Sequence, residues 1–368
     1  MVSKRSSHVV PSTTQRFRGT LLGGAVGDAL GAAVEFMSRT EIEAWFGPGG
    51  IRDFVPVDGR LGTITDDTQL TLFCGEALLR AHARGVGHDD EPAQAIERSR
   101  SYLRWLFTQG GSHPLLAEKD TWLMSEPDLF HRRGPGLTCL SSLSGMTALG
   151  ARATNASKGC GGVMRVAPIG LFRAHAYVDS AGFDAAVFRA GAQDAALTHG
   201  HPCGHLPAGF LALLIALIVA GVPLERALRR SRQQLLDQPG NDDVTAAIDH
   251  ALALAHSHPG SAQKLASLGY GWVGEEALAM ALYCAVGCEV TGDDVESAVT
   301  LAVNHDGDSD STGAITGSVL GALRGEAAIP ARWLEAVELR EVVTTLAEDL
   351  ASAPQWPADA PARKRYGT

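Results

Sequence analysis

The sequence is poor in positive charge. It has 31 lysines and arginines against 41 aspartates and glutamates, which gives a formal net charge of −10 over 368 residues. A protein that binds nucleic acid needs a positively charged surface to neutralise phosphates, and no basic stretch is concentrated anywhere in the chain. We therefore expect no nucleic-acid partner.

Cysteines are few and follow no framework. The six cysteines stand at positions 74, 139, 160, 203, 284 and 288, without the regular spacing of a disulfide scaffold. The N-terminus carries Lys4 and Arg5 but no apolar run, so it does not resemble a secretory signal. We expect reduced thiols in a cytoplasmic protein.

Long apolar runs are also rare. One uncharged, strongly apolar segment runs from Leu206 to Val222, with Pro207 and Gly209 near its start. It is slightly short of the roughly 20 residues that a membrane span needs. We predict a buried core helix and no membrane association, with a partner surface as the other possibility.

Alternation typical of β-strands is nearly absent, whereas helical periodicity dominates the chain. The pattern predicts an all-α protein with one domain at 15–351, between tails at 1–14 and 352–368, and we expect a monomer. Residues 112–157, rich in Gly, Pro and Ser, are predicted to form a surface segment near a site. The predicted helices are Phe17–Phe36, Gln69–Ala83, Pro92–Phe107, Phe183–Leu197, Pro207–Ala220, Val244–Ala255, Gly274–Val286, Val295–Val303 and Thr312–Leu323.

Two predicted helices carry a glycine at every fourth position. These are Gly23, Gly27 and Gly31 in the first helix, and Gly313, Gly317 and Gly321 in a late one. Each glycine costs about 1 kcal/mol relative to alanine inside a helix. Close approach of the two helix backbones is the gain that we expect to offset this cost, and a merely glycine-rich composition is the alternative.

The first acidic cluster is the run Thr65-Asp66-Asp67-Thr68, directly before an apolar helix. Adjacent carboxylates repel each other, and a helix N-terminus offsets only part of that repulsion. A role in capping the helix is an equally simple interpretation of this cluster taken alone.

The second acidic cluster places Asp306, Asp308 and Asp310 at alternate positions before the late glycine-rich helix. An EF-hand is excluded because the twelfth position, counted from Asp306, is Gly317 rather than glutamate. The cluster therefore needs distant ligands, and residues 65–67 can provide them. Carboxylate and hydroxyl oxygens suit Mg²⁺ or Mn²⁺ better than zinc.

Glu35 follows Asp28 by seven residues, which in a continuous helix places both on one face. Acids in so apolar a helix are costly unless they are paired or bind a metal. Asp28 could equally be a structural acid that caps a neighbouring helix.

Two further segments are weaker signals. The glycine cluster within residues 157–168 could hold phosphate with backbone N–H groups or form a plain turn. Residues 198–205 hold three histidines and Cys203, but alternate spacing around a proline is not a usual zinc pattern. We expect one histidine of that run to reach the cleft.

Taken together, these motifs resemble the ADP-ribosylglycohydrolase family. The resemblance extends from about Arg18 to about Gly325 and is carried by six segments in the family's order. These are GTLLGGAVGDALGAAVEF (19–36), ITDDTQLTLF (64–73), SKGCGGVMRVAPIG (157–170), THGHP (198–202), GYGWVGEEALAMALYC (269–284) and GDSDSTGAITG (307–317).

The resemblance implies an orthogonal helical bundle with a cleft that holds two Mg²⁺ or Mn²⁺ ions. The family's metal ligands fall on Thr65, Asp66, Asp67, Asp308, Asp310 and Ser311, although Thr312 leaves open which hydroxyl binds. Glu35 matches an acid beside the metals. The substrate contacts implied are Gly159, Cys160, Gly161, Gly162 and Met164 along the diphosphate, with His199, Tyr270 and Trp272.

The resemblance also implies the reaction. The ribose diol of an ADP-ribosyl group would ligate the metals, and an activated water would attack the anomeric carbon. Either Glu35 or Asp308 would move the proton. The substrate is expected to be an ADP-ribosylated protein side chain or small molecule. An inactive, crystallin-like family member and a two-metal phosphohydrolase are the alternatives.

Overall fold

The computed structural model describes residues 10–367, and these residues form seventeen α-helices joined by turns and short 3₁₀ segments. The described residues contain no β-strand, only two isolated bridges, which confirms the all-α class. The helices are α1 (Thr13–Gly31), α2 (Arg39–Phe46), α3 (Asp66–Ala83), α4 (Glu91–Thr108), α5 (Leu137–Ser144), α6 (Ala167–Arg173), α7 (Phe183–Ala195), α8 (Pro202–Val219), α9 (Leu224–Leu236), α10 (Asp242–Ser257), α11 (Ala262–Ala266), α12 (Gly274–Thr291), α13 (Val295–Val303), α14 (Ser309–Arg324), α15 (Ala331–Ala336), α16 (Arg340–Ser352) and α17 (Pro361–Gly367).

Helix α1 begins with a capping box. The Ser12 side chain accepts from the Gln15 backbone N–H, and the Gln15 side chain accepts in return from the Ser12 backbone. The helix ends at Gly31, not at Phe36 as predicted. Isolated turns follow it, in which the Val34 N–H donates to the Gly31 carbonyl. The prediction that Asp28 and Glu35 lie on one face of a continuous helix is therefore wrong.

The glycine rows of α1 and α14 face each other. A Cβ atom on Gly23 would lie 2.3 Å from the Gly317 carbonyl oxygen, and one on Gly27 would lie 2.0 Å from that of Gly313. Side chains essentially never approach backbone this closely, so only glycine permits this crossing. The predicted close approach is confirmed, and Gly19 extends the row against Gly321.

The apolar segment forms α8, which begins at Pro202, earlier than the predicted Pro207. Proline is favourable in a first helical turn, and the His201 side chain caps the helix by accepting from the Cys203 N–H. In the described part of the chain, this is the one helix long and apolar enough to cross a membrane, and 94% of it is buried inside the protein. It is the core helix that the sequence predicted.

The ends of the chain differ from the prediction. Residues 1–9 of the expected N-terminal tail lie outside the described residues, while Thr13 and Thr14 already belong to α1. The expected C-terminal tail contains α17, whose Tyr366 is fully buried and stacks on Trp356. A few aromatic anchors fold this segment against α3, although it has no helical periodicity to reveal it.

Candidate active site

The two acidic motifs meet at the facing N-termini of α3 and α14. The Ser311 hydroxyl donates a hydrogen bond of 2.9 Å to Oδ2 of Asp67, which joins segments 244 residues apart in sequence. The six predicted ligand side chains are all buried, with exposed fractions of 2–6%. The structure therefore joins the two acidic motifs through a buried contact between the starts of α3 and α14.

Each motif also caps its own helix. The Thr65 hydroxyl accepts from the Asp67 N–H at 3.2 Å, and Asp308 accepts from the Ser311 N–H at 3.3 Å. The capping interpretation of Thr65 is thus correct, but the aspartates beside it are buried rather than decorating an exposed turn. Helix N-termini carry partial positive charge, which favours carboxylates at these positions.

Asp28 proves to be the structural acid that the sequence allowed. Its carboxylate accepts from the backbone N–H groups of Thr65 and Thr68 at 3.0–3.1 Å, and from the Thr68 hydroxyl. It therefore connects α1 to the start of α3 and holds the first acidic motif in place. Burial, and then the charge of Asp310, raise the pKa of Asp28 to about 7.

The hydroxyls of Ser311 and Thr312 point in different directions. Ser311 faces Asp67, whereas the Thr312 hydroxyl donates to the Ala302 carbonyl at 2.8 Å and contacts His305. Of the two, Ser311 is the hydroxyl on the acid side.

Glu35 reaches the acids from the turn after α1. Burial, followed by the charges of Asp310, Asp66 and Asp28, raises the pKa of Glu35 to about 9. An added Cβ on Gly134 would meet only the Glu35 carboxylate, at 3.9 Å, and one on Gly136 only that of Asp66, also at 3.9 Å. Residues 134–136 therefore leave open space beside both acids. The sequence predicted only that the long segment 112–157 lies near a site.

The acid cluster lacks a compensating cation. Burial is the largest cause that raises the pKa values of Asp66, Asp67 and Asp308 well above the usual range, and neighbouring carboxylates add to it. Over the described residues 10–367, no ion pair within 4.0 Å involves any of these acids. Asp194 shows the contrast, because this buried acid pairs with Arg165 at 3.0 Å and Arg98 at 3.3 Å. Buried, uncompensated oxygen donors fit divalent metal ions.

The glycine loop packs against the core and directs one side chain at the acids. A Cβ on Gly162 would lie 2.6 Å from the Gly204 carbonyl oxygen, and one on Gly161 would lie 3.0 Å from Cys139 Sγ. Cys160 instead points its sulfur at Asp308, with 2.7 Å between Sγ and Oδ2. Met164 Sδ lies 3.8 Å from the Ser311 hydroxyl. Close packing thus accounts for glycine at 161 and 162, and both sulfur atoms lie on the acid side.

His199 lies behind this loop rather than in an open cleft. Its ring is 1% exposed, and a Cβ on Gly159 would meet its Nε2 at 3.2 Å. Burial, with the charge of Arg165, lowers the pKa of His199 to about 3, so the ring is neutral. It supports the loop as an uncharged wall.

Exposed aromatic residues lie beside Asp308 and Glu35. Tyr270 and Trp272 are 59% and 41% exposed, and the Tyr270 carbonyl accepts from the Asp308 N–H at 2.8 Å. Trp272 stacks on Phe36 with ring centroids 5.7 Å apart. Phe36 is an additional aromatic residue here that the motifs did not predict, although an apolar residue directly after Glu35 was the available signal.

Within the part of the chain that the structure describes, Cys203 and the histidines of residues 198–205 do not come together as a zinc site. Cys203 lies instead with Asp243 and Glu275, and one donor atom from each lies within 4.8 Å of the others. Lys158 already supplies positive charge there, with Nζ 3.3 Å from Asp243 and 3.7 Å from Glu275. This second group is therefore compensated, unlike the main acid cluster.

Known proteins resemble this chain in sequence over nearly its whole length. A family model described as ADP-ribosylglycohydrolase matches residues 10–359. An uncharacterised protein of Archaeoglobus fulgidus is 31% identical over 91% of this chain and 96% of its own length. The ADP-ribosyl-(dinitrogen reductase) glycohydrolase of Rhodospirillum rubrum is 26% identical over 90% of this chain and 92% of its own.

Solved structures give the same result. An ADP-ribosylglycohydrolase-related protein complex superposes with a TM-score of 0.65 at 27% identity, covering 93% of this chain and 98% of that chain. The family model, the relatives and the solved structure each match nearly the whole chain. The chain belongs to the ADP-ribosylglycohydrolase family.

Proposed function

We propose that this protein is a metal-dependent hydrolase that releases ADP-ribose from an ADP-ribosylated protein side chain or small molecule. The observation that carries the proposal is the buried acid cluster that Ser311 and Asp67 join across 244 residues, where no lysine or arginine of the described residues pairs with a carboxylate. Oxygen donors of this kind suit two Mg²⁺ or Mn²⁺ ions. A bound metal pair would orient the ribose diol and lower the pKa of a bound water.

Glu35 and Asp308 are the two candidates for the group that transfers the proton, and their surroundings differ. Both carboxylate oxygens of Asp308 are engaged, one by the Ser311 N–H and the other by the Cys160 thiol. Glu35 is half-buried, borders the open space at Gly134, and has a pKa raised to about 9 by burial and neighbouring acids. We therefore assign proton transfer at the leaving group to Glu35, which is protonated near neutral pH in the metal-free protein.

The same loops would supply the residues that contact the substrate. The Cys160 side chain in the loop 159–162 contacts Asp308, and the neutral ring of His199 lies behind this loop. Phe36, Tyr270 and Trp272 offer exposed aromatic faces near the acids, on which a nucleobase could stack. The name of the Rhodospirillum rubrum relative includes an ADP-ribosylated protein, which supports a protein substrate here.

The test is a panel of defined ADP-ribosyl conjugates on arginine, serine and acetyl groups, with mass detection of the product. We expect free ADP-ribose from at least one conjugate in Mg²⁺ or Mn²⁺, and none in EDTA. Undiminished release in metal-free buffer would refute metal dependence. Inorganic phosphate as the product would indicate a phosphohydrolase instead, and no product from any conjugate would favour the inactive, crystallin-like alternative.

A further inference from the structure

Cys160 is the one thiol that contacts the acid cluster. Its Sγ lies 2.7 Å from Oδ2 of Asp308 and 3.7 Å from the hydroxyl of Ser311. Asp308 and Ser311 both belong to the start of α14, so the sulfur lies beside two of the proposed ligands at one end of the cluster.

The position of this sulfur is held by the backbone. Cys160 N–H donates to the Trp272 carbonyl at 3.2 Å, and Gly274 N–H donates to the Lys158 carbonyl at 2.7 Å. On the other side, Gly161 and Gly162 pack so closely that neither could accept a Cβ without displacing its neighbours. The loop therefore presents the thiol to Asp308 from a packed framework rather than from a freely moving segment.

The surroundings call for a cation. Asp66, Asp67, Asp308 and Asp310 are each at least 95% buried, and none forms an ion pair within the described residues. Hard oxygen donors alone favour Mg²⁺ or Mn²⁺, whereas a thiolate adds affinity for softer ions such as Zn²⁺ and Cd²⁺.

We propose that the Cys160 sulfur is a further metal donor at the Asp308 end of the cluster, so that the centre binds thiophilic divalent ions more tightly than its oxygen ligands alone would. This inference rests on the proposed function, in which the same acids hold metal. When the sulfur–metal bond forms, the thiol proton passes to the buffer and no electrons are transferred.

Cys203 provides a matched control. Cys203 is buried whereas Cys160 is half-buried, and Cys203 also lies beside carboxylates, those of Asp243 and Glu275, which pair with Lys158. A thiophilic ion that simply seeks a thiol among carboxylates could bind at either place, and serine substitutions at the two cysteines separate the possibilities.

The experiment is a titration of the metal-free, full-length protein with Cd²⁺, followed by the sulfur-to-cadmium charge-transfer absorption. We expect a saturable band that is lost in Cys160→Ser, retained in Cys203→Ser and weakened in Asp308→Asn. The Cd²⁺ affinity of Cys160→Ser should fall by about 10- to 100-fold, the range typical of lost interactions around a metal. Mg²⁺ should still raise the melting temperature of Cys160→Ser, because the oxygen ligands remain.

A band that persists in Cys160→Ser, or that disappears in Cys203→Ser, would overturn the assignment. Circular dichroism establishes that each variant is folded, and Cys160→Ala replaces Cys160→Ser should the serine variant not fold. Mg²⁺ stabilisation of the wild type together with a Cys160-independent Cd²⁺ band would refute the thiol donor alone. Failure of both ions to bind the wild type would refute the metal centre of the proposed function as well.

Discussion

Asp310 and Asp194 are both buried aspartates, yet opposite surroundings make their expected roles opposite. Asp194 accepts from the Tyr102 hydroxyl at 2.8 Å and pairs with two arginines. Asp310 lies among acids, and its charge raises the pKa values of Asp28, Glu35, Asp66, Asp67 and Asp308. Removal of one carboxylate should therefore relieve repulsion at position 310, whereas at position 194 it should leave the buried Arg165 without its ion pair, although Arg98 keeps Glu91.

The first prediction tests this contrast. Asp310→Asn should lose Mg²⁺ binding and activity, yet melt no lower than the wild type in EDTA. Asp194→Asn should melt clearly lower, because breaking a buried pair costs about 3–5 kcal/mol. Saturating Mg²⁺ at about 100 times its Kd should stabilise the wild type by about 2.7 kcal/mol and hardly change Asp310→Asn. Equal Mg²⁺ stabilisation of the wild type and Asp310→Asn would remove Asp310 from the ligand set.

The second prediction concerns Glu35. Glu35→Gln keeps the shape of the side chain but cannot transfer a proton, so turnover should fall by about 10²- to 10⁴-fold. Folding and ADP-ribose affinity should survive, as measured by melting temperature and calorimetry. Glu43→Gln on the exposed face of α2 is the matched control and should behave as the wild type. Normal turnover of Glu35→Gln would exclude this carboxylate from the chemistry, and loss of folding would indicate a structural role.

At the scale of elements, the crossing of α1 and α14 determines where the acids meet. Both helices contribute to the cluster: Asp28 on α1 caps α3, and Asp308 caps the start of α14. Gly31 lies against this same region, because a Cβ there would lie 2.4 Å from the Asp310 nitrogen. The glycine rows therefore place the start of α14 directly on α1, within reach of α3.

The third prediction follows from this packing. Gly23→Ala should destabilise the fold by about 1–3 kcal/mol or more, because the new Cβ overlaps the Gly317 carbonyl and the helices must separate. Gly287→Ala in α12 is the control, since its Cβ would meet only Pro259 and Gly260 at 3.6–3.7 Å. There the higher helix propensity of alanine should stabilise by up to about 1 kcal/mol. Urea unfolding midpoints measure both effects, and equal midpoints would contradict the proposed role of the glycine rows.

For the whole molecule, the cluster links stability to pH. The pKa values of Asp28 and Glu35 are raised to about 7 and about 9 in the folded state, against about 3.9 and 4.3 in the unfolded chain. The folded state then binds more protons, so the contribution of these groups to stability is complete at low pH and is lost as the pH rises through about 7 to 9.

The fourth prediction is that the metal-free wild type loses stability relative to Asp310→Asn as the pH rises from about 5 to about 9. The difference between the two proteins is the useful measure, because buried histidines such as His199 act in the opposite direction below about pH 6.5. Stabilisation of the wild type by Mg²⁺ should grow over the same range, since metal binds the ionised acids. A difference in melting temperature that does not vary with pH would contradict this linkage.

Local patterns in the sequence determined much of this protein. Helical periodicity gave the all-α class and the approximate positions of the longer helices, because burial of one face repeats every few residues. The glycine rows in the sequence predicted the close crossing of two helices, which the structure contains. The two acidic motifs could be paired from their chemistry, since neither offers enough ligands by itself.

Other features were decided only by the tertiary structure, because they depend on contacts between residues far apart in the chain. Glu35 reaches the acids from a turn, not from the continuous helix that the spacing suggested. Asp28 accepts from the backbone of Thr65, 37 residues later, at the start of α3, and the aromatic anchors of α17 showed no periodicity. The sulfur of Cys160 meets Asp308 across 148 residues because the packing of Gly161 and Gly162 against the core turns that one side chain toward the acids.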